Sequence, residues 1–364
     1  MILSPRGLRS AASNLVRLAL HGHVADLRPM PAETIGDGPP GPVRRYRPPE
    51  GVVPAGPPVM FVPPPGSPAR CYDLRRGCSL AEHVVGAGRR SYLLDPGRLG
   101  RDPRDLGLDE WVGDVLPGAI RAASRDAGGQ PVQLVGWCLG GIMSLLAAAD
   151  GPGLPIASVA VIAAPVDAGG LRAAPLRALL GPARAAEAGA CGLMAGGVPR
   201  SLLRRAHQVA VMDRYLLRPY KILTHLDNAD FLAQAEAVDH FSGLQDATQG
   251  RAAEQLYRAI LRDNALMRGG LEIGGRRVGL GGVRVPVLAI AGRGDALAPV
   301  RAVLPLIRLL AGASQVRFEV ASGGHLGVLT GRSAKATTWR HLDRWLDEGT
   351  VRHGIRPQRS TVPV

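Results

Sequence analysis

The apolar residues Val132-Gln133-Leu134-Val135 run directly into Gly136-Trp137-Cys138-Leu139-Gly140-Gly141, and a helical stretch, residues 139–149, follows. A Gly-x-nucleophile-x-Gly turn between a strand and a helix leaves a chain few options. The central side chain stands at the tip of a sharp, strained turn. Its neighbours two residues away must be small, because strand and helix cross there, and Gly136 and Gly140 meet that demand. The helix N-terminus behind Cys138 favours the thiolate, the reactive form of cysteine. A buried structural cysteine beside a glycine-rich turn would look the same locally. A dinucleotide fingerprint would not, since Gly-x-Gly-x-x-Gly is absent from this turn.

The surrounding rhythm supports the elbow. Pro58–Val62 predicts a short buried strand, residues 79–86 a helix, and Ser91–Leu94 a second strand closed by Asp95-Pro96-Gly97. Residues 109–127 predict an amphipathic helix with Asp109 as N-cap, and Val159–Ile162 predicts a fourth strand after the elbow. Continuous apolar strands separated by helices imply a parallel sheet covered on both faces. Residues 30–57, rich in Pro and Gly with a basic cluster at Arg44, Arg45, Tyr46 and Arg47, read as a loop leading into an edge strand. The rhythm stops near Pro165. Residues 168–280 read as helices and loops, with no clear strand before Leu271–Val278. It then resumes with strand 285–291, helix 299–310, strand 315–320, a glycine-rich loop and helix 333–347. Helices placed between two stretches of one sheet form an inserted cap. The expected division is an N-terminal extension 1–40, a first core part 41–167, a cap 168–280, a second core part 281–348 and a loose polar tail 349–364.

A nucleophile elbow needs a histidine and an acid, which in this architecture follow in the order nucleophile, acid, histidine on loops after the last strands. Strand 285–291 is followed by Gly292-Arg293-Gly294-Asp295, and strand 315–320 by Ser322-Gly323-Gly324-His325. Both loops leave C-terminal strand ends, where open α/β sheets place their sites. Asp295 is expected to orient His325, and His325 to shuttle the proton. Any one of the nine histidines could be a plain surface or core residue, and Asp295 a turn or N-cap residue. It is the three in the right order that predict an α/β-hydrolase fold: a mostly parallel sheet flanked by helices, with an inserted, mainly helical cap. Asp167 is the alternative acid, although it sits at the cap entrance, where a hinge or N-cap role fits. The oxyanion hole needs two N–H groups: Leu139 supplies one. The loop Pro63-Pro64-Pro65-Gly66-Ser67 should supply the other, and because proline has no N–H, Gly66 and Ser67 are its first available donors.

Formal net charge is +14. A nucleic-acid partner is not expected, because the arginines are scattered and few aromatics are present to stack bases. Lysine is confined to Lys221 and Lys335, and the excess of Arg, Ala, Gly and Pro reads as codon bias. A preference for anionic partners such as coenzyme phosphates is the other reading. Cys71, Cys78, Cys138 and Cys191 show neither zinc spacing nor a disulfide framework, so no metal is expected and a reducing, cytoplasmic setting fits. Residues 8–20 are apolar at helical spacing but interrupted by Arg9 and Arg17. They read as a surface helix and not as a signal peptide, or as a docking helix for a partner or lipid-like surface.

From about residue 40 to 347 the chain resembles the poly(3-hydroxyalkanoate) synthase family, especially the shorter synthases that work with a second subunit. The resemblance rests on Tyr72-Asp73-Leu74-Arg75 with Ser79-Leu80, the Gly-x-Cys-x-Gly-Gly elbow, and Pro165-Val166-Asp167. It extends through Asp263-Asn264-Ala265-Leu266, Gly274-Gly275-Arg276-Arg277-Val278, Gly324-His325-Leu326-Gly327 and Trp345. It implies a cytoplasmic enzyme that polymerises (R)-3-hydroxyacyl-CoA and releases CoA, with Cys, Asp and His at the positions above and no cofactor beyond the CoA of its substrate. A second synthase subunit or a homodimer, and a storage granule, are the partners it implies. The chain departs from the family at Ala296, where a His is usual, at Gly66–Cys71, where Asn and Lys are usual, and near Phe241-Ser242-Gly243-Leu244, where a Trp is usual. These departures leave the nucleophile in place and open the identity of acyl donor and acceptor. A cysteine-dependent ester, thioester or lactone hydrolase is therefore the second reading, and a non-catalytic granule protein the third.

Overall fold

A computed structural model describes residues 5–35, 43–95, 102–171, 222–244 and 250–352. After helix α1 (Pro5–His21) the chain builds an eight-stranded sheet in the order β1-β2-β4-β3-β5-β6-β9-β10. Strands β1 (Ala32–Ile35) and β2 (Val43–Tyr46) are antiparallel to each other, and β2 is antiparallel to β4 (Ser91–Leu94). From β4 onward all pairings are parallel, through β3 (Val59–Val62), β5 (Val132–Trp137), β6 (Ile156–Ile162), β9 (Val287–Gly292) and β10 (Val316–Ala321). Every residue of β3 and β5 is buried. Successive strand residues point to opposite faces, so both faces of the sheet centre are covered.

The antiparallel edge is the main addition to the sequence reading. Residues 32–35 and 43–46 are strands where a loop was expected. In β2 only Val43 and Tyr46 are buried, while Arg44 and Arg45 lie at the surface between them. A strand with that little apolar content carries almost no periodic signal.

Helix α2 (Leu80–Gly86) starts on Ser79, whose side chain accepts the Glu82 N–H at 3.0 Å. The helix expected over 109–127 consists of α3 (Leu108–Glu110), a widened π turn Trp111–Val115 and α4 (Leu116–Asp126). Asp109 is not its N-cap. Glu110 accepts the Gly107 N–H at 2.7 Å, and Asp109 instead accepts the Gly274 N–H at 2.9 Å. Helix α5 (Leu139–Asp150) follows the elbow and is buried from Leu139 to Ala148.

Between β6 and β9 lie α6 (Ala168–Leu171), α7 (Ala229–Leu244), α8 (Arg251–Tyr257) and a second π turn, Arg258–Arg262. The strand expected over 271–278 is a hairpin, β7 (Leu271–Ile273) and β8 (Arg276–Val278), separate from the main sheet. It folds at Gly274 and Gly275, both left-handed with φ 56° and 73°. The rest of the expected cap, 172–221 and 245–249, lies outside the described residues, as do Pro96, Gly97 and Cys191. The inserted elements are fastened to the core by polar contacts. Arg75 donates to Gln234 at 3.0 Å and pairs with Asp230, which also accepts from Arg332 at 2.9 Å. Asn264 donates to Asp167 at 3.0 Å and accepts the Ala168 N–H at 2.9 Å.

The helix expected over 299–310 is two short pieces, α9 (Val300–Val303) and α10 (Leu306–Leu309), divided at Pro305, which has no N–H to continue the ladder. The helix expected over 333–347 is α12 (Arg332–Ala336) and α13 (Thr338–Arg352), preceded by the short α11 (Gly327–Thr330). Helix α13 therefore runs past the expected start of the tail at 349, and residues 353–364 lie outside the described set.

Candidate active site

Cys138 occupies the turn between β5 and α5 with φ 53° and ψ −124°. A non-glycine residue in that region is strained by roughly 1–3 kcal/mol, and the surroundings hold it there. The Cys138 N–H donates to Ile162 O at 2.9 Å, and the Cys138 carbonyl accepts the Gly141 N–H at 3.1 Å. Side chains on either side would break the turn. A Cβ on Gly136 would lie 2.7 Å from the Gly141 nitrogen, and one on Gly140 would overlap the Val62 carbonyl oxygen and sit 2.8 Å from Pro63 O. The glycines thus let β5, α5 and the end of β3 meet at Cys138.

Asp295 follows β9 and His325 follows β10, on adjacent loops joined by the Gly294 N–H donating to Gly323 O at 3.0 Å. Asp295 is buried, and its Oδ1 accepts the Leu297 and Ala298 N–H groups, each at 2.8 Å. Its Oδ2 stands 2.8 Å from His325 Nδ1. A carboxylate only accepts, so Nδ1 carries the proton and Nε2 is left for Cys138. Burial disfavours the charged imidazole, but the Cys138 charge and the hydrogen bonds to Asp295 and Cys138 outweigh it and raise the His325 pKa to about 10. The geometry therefore pairs His325 with Asp295 and leaves its other ring nitrogen under the influence of Cys138. We expect His325 to remain an imidazolium throughout the neutral range. In Cys138→Ala it should titrate at lower pH, because the negative partner is gone while Asp295 remains. Nitrogen NMR shifts of the His325 ring against pH would check this.

Two residues with no assigned role in the sequence reading support the relay. The Tyr72 hydroxyl lies 2.7 Å from Val62 O and 3.1 Å from Val135 O, to which it donates, and it accepts the Trp137 N–H at 2.8 Å. It ties the ends of β3 and β5 together directly beneath the elbow. Trp137 donates from its indole Nε1 to His325 O at 3.1 Å, and its ring lies 5.0 Å from the imidazole. No local pattern marks either residue, because each acts across more than 60 positions of chain. Tyr72→Phe should leave the buried Trp137 N–H without a partner, lowering stability by about 1–3 kcal/mol. It should lower kcat more than KM, which denaturant unfolding and steady-state kinetics would read.

Leu139 opens α5, so its N–H belongs to the first helical turn, which has no intrahelical acceptor. In the proline loop Gly66 is left-handed, φ 77°. The Ser67 N–H closes a turn onto Pro64 O at 3.1 Å. Of the two expected donors Ser67 is thus engaged in the turn. From the insert, Tyr257 at the end of α8 has its phenol pKa raised, first by burial and then by the Cys138 charge, so it stands within electrostatic reach of the nucleophile. Asp167 bonds Asn264 and the Gly169 N–H, the latter at 2.9 Å, and occupies the hinge of the insert.

The basic cluster of β2 lies away from this centre. A cavity of about 330 Å³ is lined by Arg45, Arg47, Arg89, Arg90, Glu33 and Asp126, among others. It sits at the N-terminal ends of the parallel strands, opposite the nucleophile. Its arginines are engaged: Arg45 pairs with Glu33 and Asp126, and Arg89 with Asp347. It reads as a surface ion-pair network. Among the described residues Cys71, Cys78 and Cys138 are free thiols, and no helix is long and apolar enough to cross a membrane.

Comparisons with known proteins agree with this architecture. No family model matches the chain. It is similar to the poly(3-hydroxyalkanoate) polymerase subunit of Haloarcula marismortui, 25% identical over 287 residues, covering 76% of this chain and 58% of that protein. It is similar also to the subunit of the same name from Allochromatium vinosum, 24% identical over 313 residues and 84% of each chain. Against the two haloarchaeal relatives the chain spans only 58% and 56% of their length. The resemblance to the poly(3-hydroxyalkanoate) synthases thus holds across most of this chain. Among solved structures it is similar to an enol-lactonase from Burkholderia xenovorans, with TM-score 0.51 and 16% identity, covering 87% of this chain and 99% of that one. An esterase from Thermogutta terrifontis gives TM-score 0.50 and 14% identity, covering 88% and 99%. The fold is that of the α/β-hydrolases.

Proposed function

We propose that this chain is an acyltransferase that uses Cys138 as nucleophile on (R)-3-hydroxyacyl-CoA thioesters, in the manner of a polyhydroxyalkanoate synthase. The observation that carries the reading is the arrangement itself: a cysteine at φ 53° on the elbow, close enough to a histidine for its charge to raise the imidazole pKa, and that histidine's Nδ1 2.8 Å from Asp295. The sequence similarity to polymerase subunits supplies the substrate class.

The Cys138 thiolate attacks the thioester carbonyl. The oxyanion is held by the Leu139 N–H and the Gly66 N–H. Collapse expels the CoA sulfur, which takes its proton from the His325 imidazolium, and leaves an acyl-cysteine with neutral His325. One thioester replaces another, so this step is close to isoenergetic. The hydroxyl of a second hydroxyacyl unit then gives its proton to His325 and attacks the acyl-cysteine. An ester forms and the Cys138 thiolate returns beside the imidazolium. No metal or cofactor enters beyond the CoA of the substrate. A cytoplasmic setting, a second synthase subunit or a homodimer, and a storage granule belong to the same proposal.

Water and hydroxyl compete for the acyl-cysteine, and dryness decides between them. The test is to give the purified chain (R)-3-hydroxybutyryl-CoA, follow CoA release and analyse the acyl product. Polymer or hydroxyacyl oligomer is expected. Free hydroxy acid alone would replace the synthase reading with a thioesterase. Absence of CoA release, with a polymerase second subunit added, would remove this acyl donor.

A further inference from the structure

Helix α1 meets the rest of the molecule through small residues. Gly7, Ala11 and Asn14, spaced i, i+4 and i+7, are buried, and Asn14 donates from its side-chain amide to Leu226 O at 2.7 Å. The neighbouring face carries Leu8, Ala12, Leu15 and Val16, at i, i+4, i+7 and i+8, and it looks into solvent. Leu8 is 58% exposed, Leu15 49%, Val16 54% and, at the end of the stripe, Leu20 73%. Four of the ten large apolar side chains that stand exposed among the described residues are therefore on this one helix. On the side turned from the body Arg9, between Val16 and Leu20, and Arg17, beyond Leu20, are exposed.

The charge of this segment has one sign. Pro5–His21 contains no Asp or Glu, and the first carboxylate of the chain is Asp26, already paired with Arg28 at 2.6 Å. An apolar stripe edged by serine and arginine, with no acidic group beside it, fits a surface that is apolar below and anionic at its rim. A second copy of the chain does not fit. Two-fold pairing of α1 would bring Arg9 and Arg17 toward their own counterparts, with no carboxylate on either helix to neutralise them.

We infer that α1 is an interfacial anchor that lies flat on an anionic lipid bilayer, with the Leu8–Leu20 stripe among the acyl chains and Arg9 and Arg17 at the headgroup phosphates. The helix has 17 residues, about 25 Å at 1.5 Å per residue, and its charges keep it in the plane. Its shallow attachment through Gly7, Ala11 and Asn14 leaves the outer face available without disturbing the sheet. Recruitment of this kind would place hydroxyacyl-CoA chemistry beside a membrane, but it rests on α1 alone and not on the reading of Cys138.

The experiment is co-sedimentation of the full chain with vesicles of phosphatidylglycerol and phosphatidylcholine, and with phosphatidylcholine alone. Binding to the anionic vesicles is expected, weakened at high salt, with little binding to neutral ones. Leu8→Ser, Leu15→Ser and Leu20→Ser together should lower partitioning at least about 100-fold. Arg9→Ala with Arg17→Ala should lower it about 20-fold. Both variants should keep the wild-type melting temperature, because these side chains are exposed, and Cys138→Ala should sediment like the wild type. Failure to bind anionic vesicles, equal binding to neutral ones, or binding that survives the triple serine substitution overturns the proposal. A dimer that the serine variant splits would assign the stripe to a second copy and overturn it as well.

Discussion

Cys138→Ala is expected to abolish the covalent acyl-enzyme and to reduce CoA release by about 10⁴- to 10⁶-fold. The fold should survive, because alanine keeps the φ 53° turn as well or as badly as cysteine does, and the flanking glycines that make room for it are untouched. What disappears is the sulfur. Among the described residues no other thiol is placed to stand in for it. Cys71 is fully buried, and burial is the main cause that raises its pKa well above the ordinary thiol range. Cys78 is likewise buried, its thiol bonded to Thr330 O at 2.9 Å. Mass spectrometry of protein quenched during turnover gives a direct reading: an acyl adduct on the wild type and none on the variant. An adduct of undiminished yield on Cys138→Ala would place the nucleophile elsewhere. Loss of the adduct with turnover intact would mean that no covalent step occurs.

The places of the candidate residues were more legible in the sequence than their scaffolding. Cys138, Asp295 and His325 announce themselves because each sits in a short local pattern: small residues around an elbow, and glycine-rich loops after apolar strands. The central strands were legible for a related reason, since a strand buried on both faces is a run of apolar residues. The antiparallel strands β1 and β2 were not, because β2, half in water and carrying Arg44 and Arg45, has no such run. Tyr72 and Trp137 were missed for a different reason. Their distant partners, Val135 for Tyr72 and His325 for Trp137, are brought to them only by the closed sheet. Ser67 is the informative error. Counting donors in Pro63–Ser67 correctly removed the prolines, but it could not foresee that the same prolines would fold the loop into a turn that uses the Ser67 N–H.

Asp295→Asn should retain the fold and lower kcat by about 10³- to 10⁴-fold. Three donors converge on the carboxylate: the Leu297 and Ala298 N–H groups on Oδ1 and His325 Nδ1–H on Oδ2. Asparagine has one oxygen for them and one NH₂. If the oxygen stays with the two backbone donors, the NH₂ faces Nδ1, which must then become an acceptor. The proton moves to Nε2, and the nitrogen that faces Cys138 can no longer take one. If the amide flips, two buried N–H groups lose their acceptor, at a cost of about 1–3 kcal/mol each. The first arrangement wins, so the variant should be nearly as stable as the wild type and hold its histidine in the wrong tautomer. It also loses a negative partner of the imidazolium, and the His325 pKa should fall from about 10. Unfolding curves, ring-nitrogen NMR and kinetics on one sample distinguish the cases. A stable protein with a lowered His325 titration and slow turnover supports the relay. Near wild-type turnover would exclude Asp295 as the orienting acid and turn attention to Asp167, which would first have to leave Asn264 and the Gly169 N–H.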